Sequence, residues 1–148
     1  MNNPVKYQRL RREDLHSFRL DELIISYERL NGLNPLVEKA VFDGNGQLTL
    51  EGIDGCQDKE ISMVGQEVVL DLFEQLLAAD FINLKSRFEP LRVTVESGIA
   101  KVEEMVVYDG QDETFTLRIG QKEKSVSVYF GSCIALDNVS SIIQGFLP

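Results

Sequence analysis

The chain has no tryptophan, one histidine, two cysteines and four prolines among its 148 residues. Each scarcity narrows the chemistry. A single histidine, His16, and two distant thiols, Cys56 and Cys133, offer none of the close ligand spacings of a zinc site. Two thiols in a chain this long do not make the disulfide framework of a small secreted domain. A nucleophilic cysteine needs a base or a positive neighbour to hold it as thiolate. His16 would reach Cys133 only if the N-terminal segment folded back over the body. The simpler expectation is a small buried apolar residue at 133 and an incidental thiol at 56.

Long apolar runs are missing too, and none approaches the ~20 residues that span a bilayer. The opening MNNPVKYQRLRRED has basic residues with no apolar segment behind them. The expectation is a cytoplasmic protein without membrane association. There is no GxGxxG, GxxxxGK[ST] or GxSxG motif, so no phosphate cradle or nucleophile elbow is encoded in those forms. Asp43-Gly44-Asn45 and Asp109-Gly110-Gln111 begin like calcium loops. They lack the glycine at loop position six, where Leu48 and Thr114 stand, and the closing glutamate. Asp-Gly is what hairpin turns use, and both are read as turns. No catalytic residue, cofactor or metal is assigned.

Positive charge is scarce and concentrated. Lysine and arginine number 15 against 24 acids, a formal net charge of -9. Lys6, Arg9, Arg11 and Arg12 give the first twelve residues +4, so the remainder carries -13. A body this acidic repels phosphate backbones, and no nucleic-acid partner is expected. It suits a basic protein partner or a cation, or serves solubility alone. The basic arm could contact phosphate or an acidic partner, but the simpler expectation is docking on the acidic body of its own or a neighbouring subunit, with Tyr7 and Phe18 as anchors.

What is present describes a fold. The length fits one domain, residues 1–148, with 1–20 an N-terminal arm or short helix. Leu23, Ile25 and Tyr27 alternate as in a strand, Asn31–Pro35 breaks it, and Leu36–Phe42 resumes it. The turn at Asp43–Gly46 leads to a third strand over 47–51, giving an antiparallel meander. Gly52–Glu60 reads as a polar loop and Ser62 as the N-cap of a helix over 62–81. Val69, Leu72, Phe73 and Leu76 share one face of that helix. Strands follow at 91–95 and 100–108 around Ser97-Gly98, with a turn at Asp109–Asp112. A hairpin over 114–130 is the plainest alternation in the chain. A final helix over 135–147 is capped by Asp137 and buries Val139, Ile142, Ile143 and Phe146.

Ala79-Asp80-Phe81-Ile82-Asn83-Leu84-Lys85-Ser86-Arg87-Phe88 resembles a phrase, ADFxxLKxR[FY], of a bacterial domain family of unknown function. That family combines a strand meander, a helix ending in this phrase, a Thr-rich hairpin and a C-terminal helix. The resemblance covers about residues 22–147 and implies fold alone, with no activity or cofactor attached.

The expected class is α+β: an antiparallel sheet of six or seven strands with two main helices on one face. The expected function is a non-enzymatic binding or protein-interaction domain recognising a basic partner. Its candidate contact residues are Lys6, Arg9, Arg11, Arg12, Glu103, Glu104, Asp109 and Asp112. The alternative is a small-molecule enzyme using carboxylates clustered at Asp109–Glu113 or Asp54–Glu60. Self-association through an exposed sheet edge is a third outcome.

Overall fold

Strand alternation, strongest in the meander and the late hairpin, builds the centre of the molecule. The computed structural model describes residues 6–31, 37–51, 59–88, 91–104, 111–129 and 133–146. In chain order the elements are β1 (Gln8–Arg9), β2 (Leu23–Asn31), β3 (Val37–Asp43), β4 (Gln47–Glu51) and β5 (Lys59–Met63). Then come α1 (Gln66–Ala78), β6 (Arg87–Phe88), β7 (Leu91–Glu96), β8 (Ile99–Glu104), β9 (Gln111–Ile119), β10 (Lys122–Tyr129) and α2 (Asp137–Gln144). Short 3-10 turns lie at Arg12–Leu15, Leu20–Glu22, Phe81–Asn83 and Ile134–Leu136.

Eight strands form one sheet in the order β1-β10-β9-β2-β3-β4-β5, with β6 also on β10. Strands β7 and β8 pair only with each other. The sheet is mostly antiparallel and becomes mixed because β1 and β6 join β10 in parallel. This exceeds the six or seven strands expected. Two-residue strands are too short to show a period of two, and β5 reads as loop and cap in the sequence.

Ser62 corrects that reading. It lies in β5 opposite Leu48, and α1 starts four residues beyond it, after Gly65 at φ 97°. The reason is tertiary: Ile61 pairs with Thr49, and the amides of Val64 and Gly65 both donate to the Gly46 carbonyl. The chain is thereby held extended until Gly65. The Asp43–Gly46 turn itself is built locally. One Asp43 carboxylate oxygen accepts the amides of Asn45 and Gln47, each at 3.0 Å. Gly44 is obligatory there, because a Cβ would stand 1.7 Å from the Leu20 carbonyl oxygen.

Side-chain alternation sorts the sheet into two faces. Val126, Phe115, Tyr27 and Ala40 form one inward row, and Leu117, Ile25, Phe42 and Leu48 another. All eight are buried. The opposite face carries the row Ser125, Thr116, Ser26, Val41, Thr49 and Ile61 across six strands. Val69, Leu72, Phe73 and Leu76 of α1 and Val139 and Ile143 of α2 join the same core cluster as the inward rows. Phe146 meets Phe42 edge to face at 5.8 Å. Helix α1 stops where Asp80 turns left-handed at φ 54°. The following Phe81 and Ile82 are buried, so the ADF phrase is a helix stop with an apolar anchor.

The start of α2 differs from expectation. Leu136 is its N-cap in αR geometry, and Asp137 is its first helical residue with no capping hydrogen bond at this terminus. The preceding 3-10 turn runs straight into the helix, leaving no extended residue to fold a side chain back. Asp137 still places negative charge in the first turn. Among the described residues no helix is long and apolar enough to cross a membrane.

Candidate interaction sites

The N-terminal arm is tied to the body by its main chain and one leucine. The Gln8 amide donates to the Gln121 carbonyl at 2.8 Å, and the Leu10 amide to the Glu123 carbonyl at 3.1 Å. Leu10 is wholly buried. Arg118 lies 4.0 Å from the centre of the Tyr7 ring, and Phe18 packs edge to face on Phe73 at 5.5 Å. The ion pair that fastens this arm is Asp14 with Lys122, opposite in polarity to basic residues gripping an acidic body. The Lys122 hydrogen bond, then the Arg11 amide, hold the Asp14 carboxyl below its ordinary range. Lys6, Arg9, Arg11 and Arg12 are exposed. Arg12 lines a cavity of about 300 Å³ with His16, Leu77 and Asp80, while Arg9 and Arg11 turn towards other clefts. Arg9 and Arg11 share one cleft with Glu13, Asp14 and Lys122, and Arg12 lines another.

The acidic candidates are divided as well. Glu103 is exposed on β8, opposite Arg92 of β7, and Glu104 ends β8 opposite Leu91. Asp109 lies outside the described residues, as do Cys56, residues 54–58 of the second acidic stretch and the turn at 32–35. Asp112 and Glu113 are neighbours on β9, so a strand sends them to opposite faces. On the outward face Asp112 approaches Arg87 at 3.6 Å, and its other carboxylate oxygen is buried without a hydrogen-bond partner. On the inward face one oxygen of Glu113 accepts both the Tyr27 hydroxyl and the Ser140 hydroxyl, each at 2.7 Å. Gln144 donates to Ser140 at 2.8 Å. Burial first, and then this bond to Glu113, push the Tyr27 phenol above its ordinary range. The network binds α2 to β2 and β9. Adjacent strand positions cannot bring these two carboxylates together on one substrate.

Cys133 is buried in the core just before the 3-10 turn that leads into α2, as a small apolar residue would be. Among the described residues no group of three or more His, Cys, Asp or Glu is placed to hold a metal ion.

The hairpin β7–β8 forms around Ser97-Gly98 as its alternation requires, but the exposure of its apolar face has no counterpart in the sequence reading. Ser97 and Gly98 both adopt positive φ, 51° and 76°, the geometry of a tight two-residue turn whose twist matches paired strands. Val93 stands opposite Val102, and Val95 opposite Ala100, on one face. Val93, Val95 and Val102 are 63, 71 and 63% exposed, and Ile99 at the turn is 64% exposed. The alternation was legible, but alternation predicts a burying surface without saying whether anything covers it.

No model of a known protein family matches the chain, and no curated protein matches it.

Proposed function

We propose that the domain is a non-enzymatic protein-binding module whose contact element is the β7–β8 hairpin, and that its partner is basic with an apolar strip. The carrying observation is the uncovered apolar face of Val93, Val95, Ala100 and Val102. Single exposed apolar residues are ordinary, whereas a contiguous group on one face of a hairpin marks an interaction site. Charge supplies the chemistry of the partner. The hairpin itself holds three acids (Glu96, Glu103, Glu104) against two bases (Arg92, Lys101), and Glu89, Asp109 and Asp112 flank it in the sequence. Apolar contact would supply affinity, and the acidic surroundings would steer a basic partner and reject acidic ones.

The reading also takes both helices to cover the inward face of the sheet. Ser140 and Phe146 at α2 already touch that face, and Asn138 of α2 bonds Gln75 of α1 at 2.7 Å. The resemblance to a bacterial domain family fits this arrangement and adds no activity.

The test is a paired capture from a native lysate at low salt. One bait is the unaltered chain, and the other carries Val93→Ser, Val95→Ser and Val102→Ser. Retention of a basic protein by the first bait alone, released by salt, is the expected result. Identical retention by both baits, or none by either, would defeat the proposal. So would sedimentation showing that the apolar face is occupied by a second copy of the chain.

A further inference from the structure

The outer edge of β10 is paired twice and left open between. Its register with β1 ends at Glu123, and its register with β6 begins at Ser127. Residues 124–126 therefore have no strand partner on that side. Main-chain groups of successive strand residues point alternately to the two edges. On β10 the Gln121 and Glu123 carbonyls accept from the arm, and the Ser127 amide donates to the Ser86 carbonyl at 2.8 Å. Residues 121, 123 and 127 thus use the outer edge, and Ser125 has the same parity. Its N–H and C=O face the notch. Water or a ligand in the cleft completes their hydrogen bonds.

The notch opens into a cavity of about 860 Å³ lined by Arg9, Lys85, Ser86, Glu123, Lys124 and Ser125, among others. Three cations meet one carboxylate there, and that carboxylate is already engaged: Arg118 donates to Glu123 through Nε at 3.1 Å and Nη2 at 2.8 Å. Lys124 reaches along the edge to the Leu84 carbonyl at 2.5 Å. Burial first, and then the charge of Arg9, hold its ammonium below the ordinary lysine range. The Lys85 ammonium lies over the Phe88 ring, 4.9 Å from its centre, so the cleft gathers more positive than negative charge on a chain of net charge -9.

We propose that this notch binds a small phosphate group, either inorganic phosphate or a phosphomonoester. Arg9, Lys85 and Lys124 supply the counter-charge, and the Ser125 amide and Ser86 hydroxyl donate hydrogen bonds to the phosphate oxygens. Inorganic phosphate keeps a P–OH in both of its neutral-pH ions, which donates to the Ser125 carbonyl, and a phosphomonoester does so only as its monoanion. Carboxylate and sulfate have no such donor at neutral pH. The acidic body excludes a polyanion, so the ligand is a small one.

Titration of the 15N-labelled full chain with inorganic phosphate, at constant ionic strength set by chloride, tests this directly. The Ser125 amide should shift in a saturable manner, with Lys124 and Ser86 following. Phenyl phosphate in place of inorganic phosphate decides between the two sources by whichever binds more tightly. Sulfate should bind at least several-fold more weakly. Lys124→Met should weaken binding about tenfold, and Arg9→Gln about threefold to tenfold. Arg9 is exposed, so its variant keeps the test valid should Lys124→Met disturb folding. Arg12→Gln should leave binding unchanged. Shifts that are linear, centred elsewhere, equal with sulfate or insensitive to Arg9→Gln would overturn the proposal.

Discussion

Removing the Glu113 carboxylate should leave a fully buried phenol without its acceptor. Tyr27 is wholly inaccessible, and Glu113 accepts its hydroxyl at 2.7 Å. An unsatisfied buried donor costs about 1–3 kcal/mol, and a bond to a charged acceptor lies at the upper end of that range. Ser140, which is half-buried, can turn to water and adds little. Glu113→Ala should therefore destabilise by about 2–3 kcal/mol. Tyr27→Phe should cost less, about 1 kcal/mol, because the half-buried carboxylate keeps Ser140 and solvent. The decisive quantity is the coupling. Once Glu113 is gone, Tyr27→Phe deletes a hydroxyl that has no partner, so its cost should vanish or reverse. The expected interaction energy is about 1–2 kcal/mol, well above the ~0.3–0.5 kcal/mol scatter for independent sites. Urea denaturation followed by circular dichroism suits a chain without tryptophan, and an unchanged m-value would confine the effect to stability. If Tyr27→Phe costs the same in both backgrounds, the hydrogen-bond reasoning is refuted. The raised Tyr27 pKa gives an independent sign: its stabilisation is complete below the ordinary value of 10.0 and is lost as pH rises beyond it.

Two further expectations follow from burial and charge. Phe73→Ala removes a buried ring packed edge to face on Phe18 and should cost about 3–5 kcal/mol, whereas half-buried Ile142→Ala should cost about 1–2 kcal/mol. Equal losses in denaturant would contradict this placement of the two helices. The depressed Asp14 pKa means that its contribution is present above the ordinary value of 3.8 and lost as pH falls through the lower folded-state value. After correction for intrinsic rates, hydrogen exchange at the Leu10 amide should accelerate over that fall while α1 stays protected. Asp14→Asn should remove the pH dependence, and a persistent dependence would assign it elsewhere.

The strands with long alternation and the helix stripes were legible because their signals repeat within one segment. Leu23, Ile25 and Tyr27 face inward as their spacing required, and so do Phe115, Leu117 and Ile119. The two-residue strands β1 and β6 were not legible. They exist only because β10 offers them an edge. Ser62 misled for a related reason: a good capping residue caps only where the chain is free to turn, and pairing with β4 holds it extended. Among the contact candidates, the charges of the arm were visible, yet its ion pair to the body runs through Asp14. A hydrogen-bonded ion pair over 108 residues of sequence has no local signature.

The sequence by itself determined the periods, the turns and the charge: which residues alternate, where Asp-Gly reverses the chain, and how the net -9 is apportioned. Tertiary structure alone decided exposure and convergence. Val93, Val95 and Val102 carry the same alternation as the buried strands, but their hairpin pairs only with itself. Arg9, Lys85 and Lys124 come from three separated segments and meet where the ladder on β10 is interrupted. Periodicity is a property of neighbours along the chain, whereas burial and charge clustering depend on what the rest of the chain brings to the same place.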